Sequence, residues 1–144
     1  MRPTKKEYYL GIAEAVAKRG TCIRRNYGAI IVNNDEIVGT GYTGSPRGEL
    51  NCCDDPEGCL RDKLKVPGGE RYELCKSVHA EMNAIISAGR SRCIGATMYL
   101  VGLNASVNAN EFLLSNPRPC LICERLIINA GIKEVITPNK VITY

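Results

Sequence analysis

The chain has 144 residues, a net charge of +4 and ordinary proportions of apolar and charged side chains. This length suits one domain with its own hydrophobic core, which we expect to span residues 1–144. Lysine and arginine are scattered along the sequence, so the charge gives no reason to expect a nucleic-acid-binding protein. The polar N-terminus and the lack of a long apolar run argue against a signal peptide and a membrane span, and we expect a cytoplasmic protein.

A helix followed by a β-hairpin is expected at the start of the chain. Thr4 and Glu7 form a capping box, and apolar residues then recur at helical spacing until Gly20, where the helix is expected to end. Two short apolar runs, 27–32 and 37–42, are separated by the turn residues 33–36. This pattern predicts two antiparallel strands joined by a turn.

The segment 43–76 is interrupted by glycine and proline and predicts only one helical turn, at 61–64. A loop this long inside a compact domain is uncommon unless it is functional or held in place. The chain has eight cysteines, and because cytoplasmic thiols stay reduced, metal binding explains them better than disulfides.

A structural zinc ion with four protein ligands would hold this loop together. Its expected ligands are Cys22, Cys52, Cys59 and Cys75, with Cys53 as the substitute for one of them. The alternative is that several of these residues are free buried thiols. Cys93 is isolated in the sequence and is expected to pack as a small hydrophobic side chain.

Strands and helices alternate in the second half of the chain. Helices are expected at 78–88, where the apolar residues predict deep burial, and at 120–130, with Pro119 at the first helical position and Gly131 after the last. Strands are expected at 96–101, 133–137 and 141–144, and 103–118 is expected to be a loop. The order α-β-β-α-β-α-β-β predicts an α/β fold in which helices cover both faces of a mixed sheet.

Two short motifs stand at the starts of these two helices, His79-Ala80-Glu81 and Pro119-Cys120-Leu121-Ile122-Cys123. A catalytic zinc takes three protein ligands and keeps one position open for water. His79, the one histidine of the chain, and the thiolates of Cys120 and Cys123 can supply those ligands, which leaves Glu81 free to move protons. Either motif alone has a simpler explanation, a polar helix surface or a redox pair. Together, in this order, they are typical of zinc-dependent deaminases.

With these motifs, the segments 21–22, 27–32, 41–46 and 128–133 resemble the cytidine/deoxycytidylate deaminase superfamily, most of all its bacterial and phage dCMP deaminases. The resemblance implies a three-layer fold around a mixed five-stranded sheet, and hydrolytic deamination of dCMP to dUMP in pyrimidine deoxynucleotide metabolism. It implies a zinc ion held by His79, Cys120 and Cys123, with Glu81 as the proton shuttle. It also implies homo-oligomers, often hexamers, regulated in many members by dCTP and dTTP, and in several members a second zinc in the cysteine-rich region.

Two departures from the family pattern concern substrate recognition. Thr43 replaces an asparagine that usually contacts the sugar, and the segment before Pro119 is longer than in typical members. A deaminase of another small molecule, such as a free nucleoside or a guanine- or pterin-like base, therefore stays open. For dCMP, the expected contacts are the backbone N–H of Ala80 with the developing carbonyl, Arg118 with the 5′-phosphate, and Asn26 or Thr43 with the sugar.

Two further classes of function are open to the same residues. The zinc chemistry would allow base editing in RNA, but the mild charge, one phenylalanine and no tryptophan argue against a nucleic-acid surface. A non-enzymatic, zinc-stapled interaction module would explain the cysteines, but it would not explain Glu81 in its motif position.

Overall fold

A computed structural model of the chain describes residues 1–105, 112–114 and 116–144. Within these residues the strands are β1 Arg25–Asn33, β2 Glu36–Tyr42, β3 Thr97–Asn104, β4 Phe112–Leu113, β5 Glu134–Ile136 and β6 Val141–Thr143. The helices are α1 Lys5–Ala17, α2 Leu60–Lys63, α3 Ala80–Ala88, α4 Arg90–Cys93 and α5 Leu121–Ala130. In the part of the chain that the structure describes, no helix combines the length and apolarity needed to cross a lipid bilayer.

All strands belong to one mixed sheet, as the sequence predicted. Its order is β2-β1-β3-β5-β6, and β4 pairs with the far end of β3. The pairs β1/β2, β1/β3 and β5/β6 are antiparallel, while β3 and β5 are parallel. The third strand is longer than expected, because its residues as far as Asn104 pair with β1.

Helices cover both faces of the sheet, also as predicted. Side chains alternate between the two faces along each strand, so β1 and β3 contribute to two separate cores. The core on one side, packed under α1, contains Tyr9, Ala13, Ile30, Val32, Tyr99 and Val101. The core on the other side, packed under α3 and α5, includes Ala29, Ile31, Ala84, Met98, Leu100 and Ile127.

The capping residue and the hairpin predicted near the start of the chain are confirmed. Thr4 caps α1 by accepting a hydrogen bond from the Glu7 amide at 3.1 Å, although the helix ends at Ala17, before Gly20. The hairpin turns at Asn34 and Asp35, whose φ values of 52° and 63° fit a turn that matches the twist of the strands.

Both helices that carry the motifs begin later than predicted. Val78 exchanges backbone hydrogen bonds with Gly44, at 2.7 and 3.2 Å, which keeps it extended and delays the start of α3 to Ala80. Cys120 is the residue that caps α5, so Pro119 precedes the helix and does not occupy its first turn. Burial of α3 is also limited to one side, since Ile86 is 76% exposed.

The two irregular segments contain some regular structure. In the cysteine-rich segment, the helical turn expected at 61–64 is present as α2, and 3₁₀ turns occupy Cys52–Asp54 and Tyr72–Leu74. The loop expected at 103–118 overlaps the end of β3 and contains β4, and its residues 106–111 and 115 lie outside the described residues.

Candidate metal centre and substrate pocket

His79, Cys120 and Cys123 converge where the N-terminal ends of α3 and α5 meet, and their ligand atoms all lie within 4.8 Å of one another. The imidazole Nδ1 of His79 is 3.2 Å from Sγ of Cys123 and 3.5 Å from Sγ of Cys120. Donor atoms around a tetrahedral zinc ion with ordinary bond lengths are about 3.6 Å apart. Among the residues that the structure describes, this is the one group of three such side chains at metal-binding distances.

Helix starts explain how these side chains reach one point. His79 and Cys120 are the capping residues of α3 and α5, and Cys123 lies in the first turn of α5. Because His79 precedes the helix in extended conformation, its spacing of two residues from Glu81 does not send the two side chains to opposite sides. The positive ends of both helix dipoles favour thiolate at this position.

The protonation of the two thiols indicates a site made for a cation. A hydrogen bond from the Cys123 thiol, helped by His79, lowers the pKa of Cys120 to about 4. The same hydrogen bond, burial and nearby Glu81 raise the pKa of Cys123, so that it keeps its proton. Cys123 would lose this proton only if a positive charge lay between the two sulfur atoms and the nearby carboxylate, and a divalent metal ion would supply that charge. The donor set therefore fits zinc.

Glu81 is the second residue of α3 and is only 4% exposed. Burial is the main cause that raises the pKa of its carboxyl group above the usual value. A carboxyl group whose pKa is raised holds a proton more readily than an exposed one, which suits a residue that must both accept and donate a proton. Its position beside the metal ligands is the one that a proton shuttle needs.

A pocket of about 200 Å³ opens next to His79, Cys120 and Glu81. Tyr27, Thr43, Tyr72 and Ser77 contribute to its walls. The lining also contains four arginines, Arg24, Arg25, Arg61 and Arg118, whereas Glu81 is its one carboxylate among the described residues. This excess of positive charge favours a small substrate that carries an anionic group.

Comparison with known proteins identifies the family. Residues 3–138 match the cytidine and deoxycytidylate deaminase zinc-binding region. The chain belongs to this deaminase family. It is 36% identical to the deoxycytidylate deaminase of Mycobacterium phage D29 over 143 residues, which are 96% of this chain and 98% of that one. It is 35% identical to the deoxycytidylate deaminase of Schizosaccharomyces pombe over 135 residues, but it spans only 37% of that protein's length.

Solved structures of known deaminases share the fold of this chain. The dCMP deaminase of cyanophage S-TIM5, determined in complex with dCMP and dUMP, superposes with a TM-score of 0.64 at 26% identity. The match covers 95% of this chain and 82% of that one. The cytidine deaminase from Burkholderia pseudomallei shares the fold, at 18% identity and a TM-score of 0.60. That match covers 97% of this chain and 93% of the other chain.

The four residues expected to contact the substrate differ in whether they line the pocket and in which hydrogen bonds they already form. Thr43 and Arg118 line the pocket. The hydroxyl of Thr43 accepts a hydrogen bond from the Tyr27 amide at 2.9 Å, which leaves its own proton available for a ligand. Asn26 is 1% exposed, and its side chain bonds to the backbone N–H and C=O of Cys22, at 2.8 and 2.9 Å. Ala80 is the first residue of α3, so its N–H has no partner within the helix.

Sequence reasoning missed Tyr72 and Arg61, which belong to the cysteine-rich segment. The ring of Tyr72 meets the His79 imidazole edge to face, with centroids 5.0 Å apart and planes at 90°. The guanidinium carbon of Arg61 lies 4.8 Å from the centroid of the same tyrosine ring. Neither residue follows a strand or helix period, and the one available signal was the unusual length of the segment.

Three of the other cysteines lie at or near the pocket, and one lies in the core. Cys22 and Cys75 line the pocket, and Sγ of buried Cys52 lies 3.7 Å from the hydroxyl of Ser77. Burial, with nearby Cys22 and Cys52, raises the pKa of Cys75. No three of the cysteines predicted to bind a structural zinc, all of them within the described residues, lie at ligand spacing, so that site stays a prediction. Cys93 is fully buried in the core, as predicted.

Proposed function

We propose that this chain catalyses the zinc-dependent hydrolytic deamination of dCMP to dUMP, with release of ammonia, in pyrimidine deoxynucleotide metabolism. The cluster of His79, Cys120 and Cys123 with buried Glu81, at one end of an arginine-lined pocket, carries the proposal. Relatives named deoxycytidylate deaminase support the same substrate. We further propose that residues 1–144 act as one deaminase domain, which the single sheet supports.

His79, Cys120 and Cys123 would hold the zinc ion, which when bound would supply a water molecule acidic enough to attack near neutral pH. Glu81 accepts a proton from the attacking water and passes it to N3 of the cytosine ring. Glu81 then takes the proton of the hydroxyl group on C4 and donates it to the amino group, so that the C4–N bond breaks, ammonia leaves and C4 becomes a carbonyl carbon. The free N–H of Ala80 donates a hydrogen bond to the developing carbonyl. Burial of Glu81 supports this role, because it raises the pKa of the carboxyl group and so favours the protonated form that must donate to the substrate.

The sugar and the phosphate are assigned to residues of the pocket wall. The hydroxyl proton of Thr43 suits a sugar oxygen, and Arg118 suits the 5′-phosphate because it lines the same pocket and is charged. Asn26, the other candidate for the sugar, has its amide bonded to the backbone of Cys22. This arrangement favours Thr43 over Asn26 as the direct contact.

The test is ammonia release from dCMP and from deoxycytidine, measured on zinc-replete protein with and without dCTP. Turnover of dCMP and not of deoxycytidine would support the proposal, and a response to dCTP would add allosteric control by nucleotides such as dCTP and dTTP. Turnover of deoxycytidine alone would replace dCMP with a nucleoside. Turnover of neither would direct the search to guanine- or pterin-like bases.

A second, structural zinc belongs to the same proposal. Its ligands are Cys22, Cys52, Cys59 and Cys75, with Cys53 as the substitute. The proximity of Cys22 and Cys52 to Cys75 supports it, as does the bond from the Cys53 amide to the Thr21 carbonyl at 3.0 Å, which ties the segment to the residue before Cys22. Elemental analysis that finds two zinc ions per chain, and one in Cys52→Ser, would support the second ion. One ion in the wild-type protein would contradict it.

We also propose that the chain forms a homo-oligomer in the cytoplasm, for which the family resemblance implies a hexamer. Large apolar side chains are exposed on the helices that carry the site: Leu121 and Ile86 are each 76% exposed, and Ile128 is 53% exposed. Burying such residues against a second copy would remove apolar surface from water. A reducing compartment such as the cytoplasm would keep the cysteines available as metal ligands, which suits the number of cysteines in this chain. Light scattering on the zinc-loaded protein measures the assembly, and a monomer at all concentrations would contradict it.

A further inference from the structure

Arg61 is a buried cation in the wall of the substrate pocket. It is 7% exposed, although it belongs to α2, a four-residue helix in the cysteine-rich segment. Its Nε donates to the carbonyl of Glu70 at 3.1 Å, and its Nη2 donates to the carbonyl of Pro67 at 3.2 Å. These bonds hold the guanidinium in a fixed orientation against the face of Tyr72.

No carboxylate among the described residues forms an ion pair with Arg61. Its neighbour Asp62 instead pairs with Arg24, at 3.3 Å. Two of the five guanidinium N–H groups are used by the backbone carbonyls, and the others have no hydrogen-bond partner in the part of the chain that the structure describes. A buried charge without a partner is costly, and two carbonyl groups with one aromatic face only partly offset that cost.

The position of Arg61 relative to the metal ligands fits a nucleotide. The guanidinium is 4.8 Å from the Tyr72 ring centre, which is 5.0 Å from the His79 ring centre, so guanidinium and imidazole are less than about 10 Å apart. Both residues line the same pocket. A nucleoside monophosphate can place its base at the metal ligands and its phosphate at this distance.

We propose that Arg61 binds the phosphate of the substrate and is the main residue that selects a nucleotide over a nucleoside. This inference rests on the proposed deamination of dCMP and adds a residue that neither motif contains. The unpaired N–H groups of Arg61 donate to phosphate oxygens, and the phosphate supplies the counter-charge that the protein lacks. Arg118, which is exposed, contributes a weaker contact from the rim.

The test measures binding of the product dUMP and of deoxyuridine to zinc-loaded protein by calorimetry. In Arg61→Gln we expect the Kd of dUMP to rise about 10- to 100-fold, because charge-assisted hydrogen bonds are lost, while the Kd of deoxyuridine changes much less. Arg71→Gln is the matched control, an exposed arginine of the same segment that pairs with Glu73, and its two Kd values should equal those of the wild type. A ratio of Kd values in Arg61→Gln equal to that of the wild type would overturn the assignment.

A crystal structure of the wild-type protein with dUMP is a second test. It needs no variant, so it remains valid even if Arg61→Gln does not fold. Phosphate oxygens within about 3.2 Å of the Arg61 guanidinium would support the proposal. A phosphate held only by Arg24, Arg25 or Arg118, or no dUMP in the pocket, would overturn it. Failure of this assignment can be told apart from failure of the proposed function. If the proposed function is wrong, the wild-type protein will not deaminate dCMP, whatever the ratio of the Kd values for dUMP and deoxyuridine.

Discussion

Gly41 in β2 touches the backbone of Ala80 in α3: a Cβ atom at Gly41 would lie 2.3 Å from the Ala80 carbonyl oxygen. It would also lie 2.4 Å from the amide nitrogen of Ala84. Ala80 stands between His79 and Glu81, so this strand sets the position of the helix end that carries one metal ligand and the proton shuttle. The missing side chain at Gly41 is therefore a requirement of the site.

Gly41→Ala should reduce both stability and turnover. The methyl group forces β2 and α3 apart, which we expect to cost about 1–3 kcal/mol in the free energy of unfolding. Gly11→Ala in α1 is the control, because nothing lies within 4 Å of the position of its Cβ. That change should stabilise the protein by about 0.5–1 kcal/mol. Urea denaturation and ammonia release test both variants, and a Gly41→Ala protein with wild-type stability and rate would contradict the argument.

Glu81→Gln should remove the proton shuttle and leave the metal ligands in place. Loss of a general acid and base lowers the rate by about 10²- to 10⁴-fold, and here one residue serves both transfers. Glu14→Gln, on the outer helix α1, is the matched control and should keep the wild-type rate. The measurement is ammonia release beside zinc content. Wild-type turnover in Glu81→Gln would refute the role, and loss of zinc would show that Glu81 supports the metal instead.

Cys123→Ala should release the catalytic zinc and abolish turnover, since only two ligands would remain. Cys93→Ala removes another fully buried thiol, one that belongs to the core between α3, α5 and the sheet. We expect that control to lose stability through a small cavity while it keeps zinc and activity. Elemental analysis of both variants, with dialysis of the wild type against a chelator, tests the difference. Full activity after complete removal of zinc would contradict the mechanism.

The sequence was sufficient for five of the strands, for the helices α1, α3 and α5 and for the three residues of the candidate metal centre, but it did not predict α4 or β4. Local periodicity revealed the strands and helices, and the donor chemistry of His79, Cys120 and Cys123 revealed which helix starts must meet. The error at the start of α3 came from a long-range contact, because the bridge between Val78 and Gly44 cannot be seen in the local pattern.

The pocket wall was less accessible to sequence reasoning. Arg61 reads as an ordinary surface charge in a short helical turn, and only the fold buries it against Tyr72. Ile86 shows the opposite case, since its apolar neighbours in α3 suggested burial while the sheet covers only the other side of the helix. Both residues depend on which surfaces meet in three dimensions.

Asp35 in the hairpin turn should make stability depend on pH through Lys5 and Tyr9, both of which bond to its carboxylate. The hydrogen bond from Lys5, then that from Tyr9, lowers the pKa of Asp35 below its ordinary 3.8. The contribution of Asp35 to stability is therefore present above pH 3.8. It is lost as the pH falls through the lower pKa that Asp35 has in the folded protein. The same hydrogen bond from Tyr9 to Asp35, with burial, raises the pKa of Tyr9 from 10.0 to about 12, so this contribution is present below pH 10 and is lost as the pH rises towards 12.

Asp35→Asn should thus be less stable than the wild type at pH 7. The difference in stability should shrink as the pH falls below 3.8 and as it rises above 10. Thermal unfolding from acid to alkaline pH measures it, and the absorbance of ionised tyrosine reports whether the pKa of Tyr9 returns towards 10.0 in the variant. Glu57→Gln, which removes an exposed partner of Lys63 far from this turn, is the control and should not change the alkaline limb. A stability difference that stays constant from neutral pH to pH 12 would mean that Asp35 and Tyr9 do not interact as the structure shows.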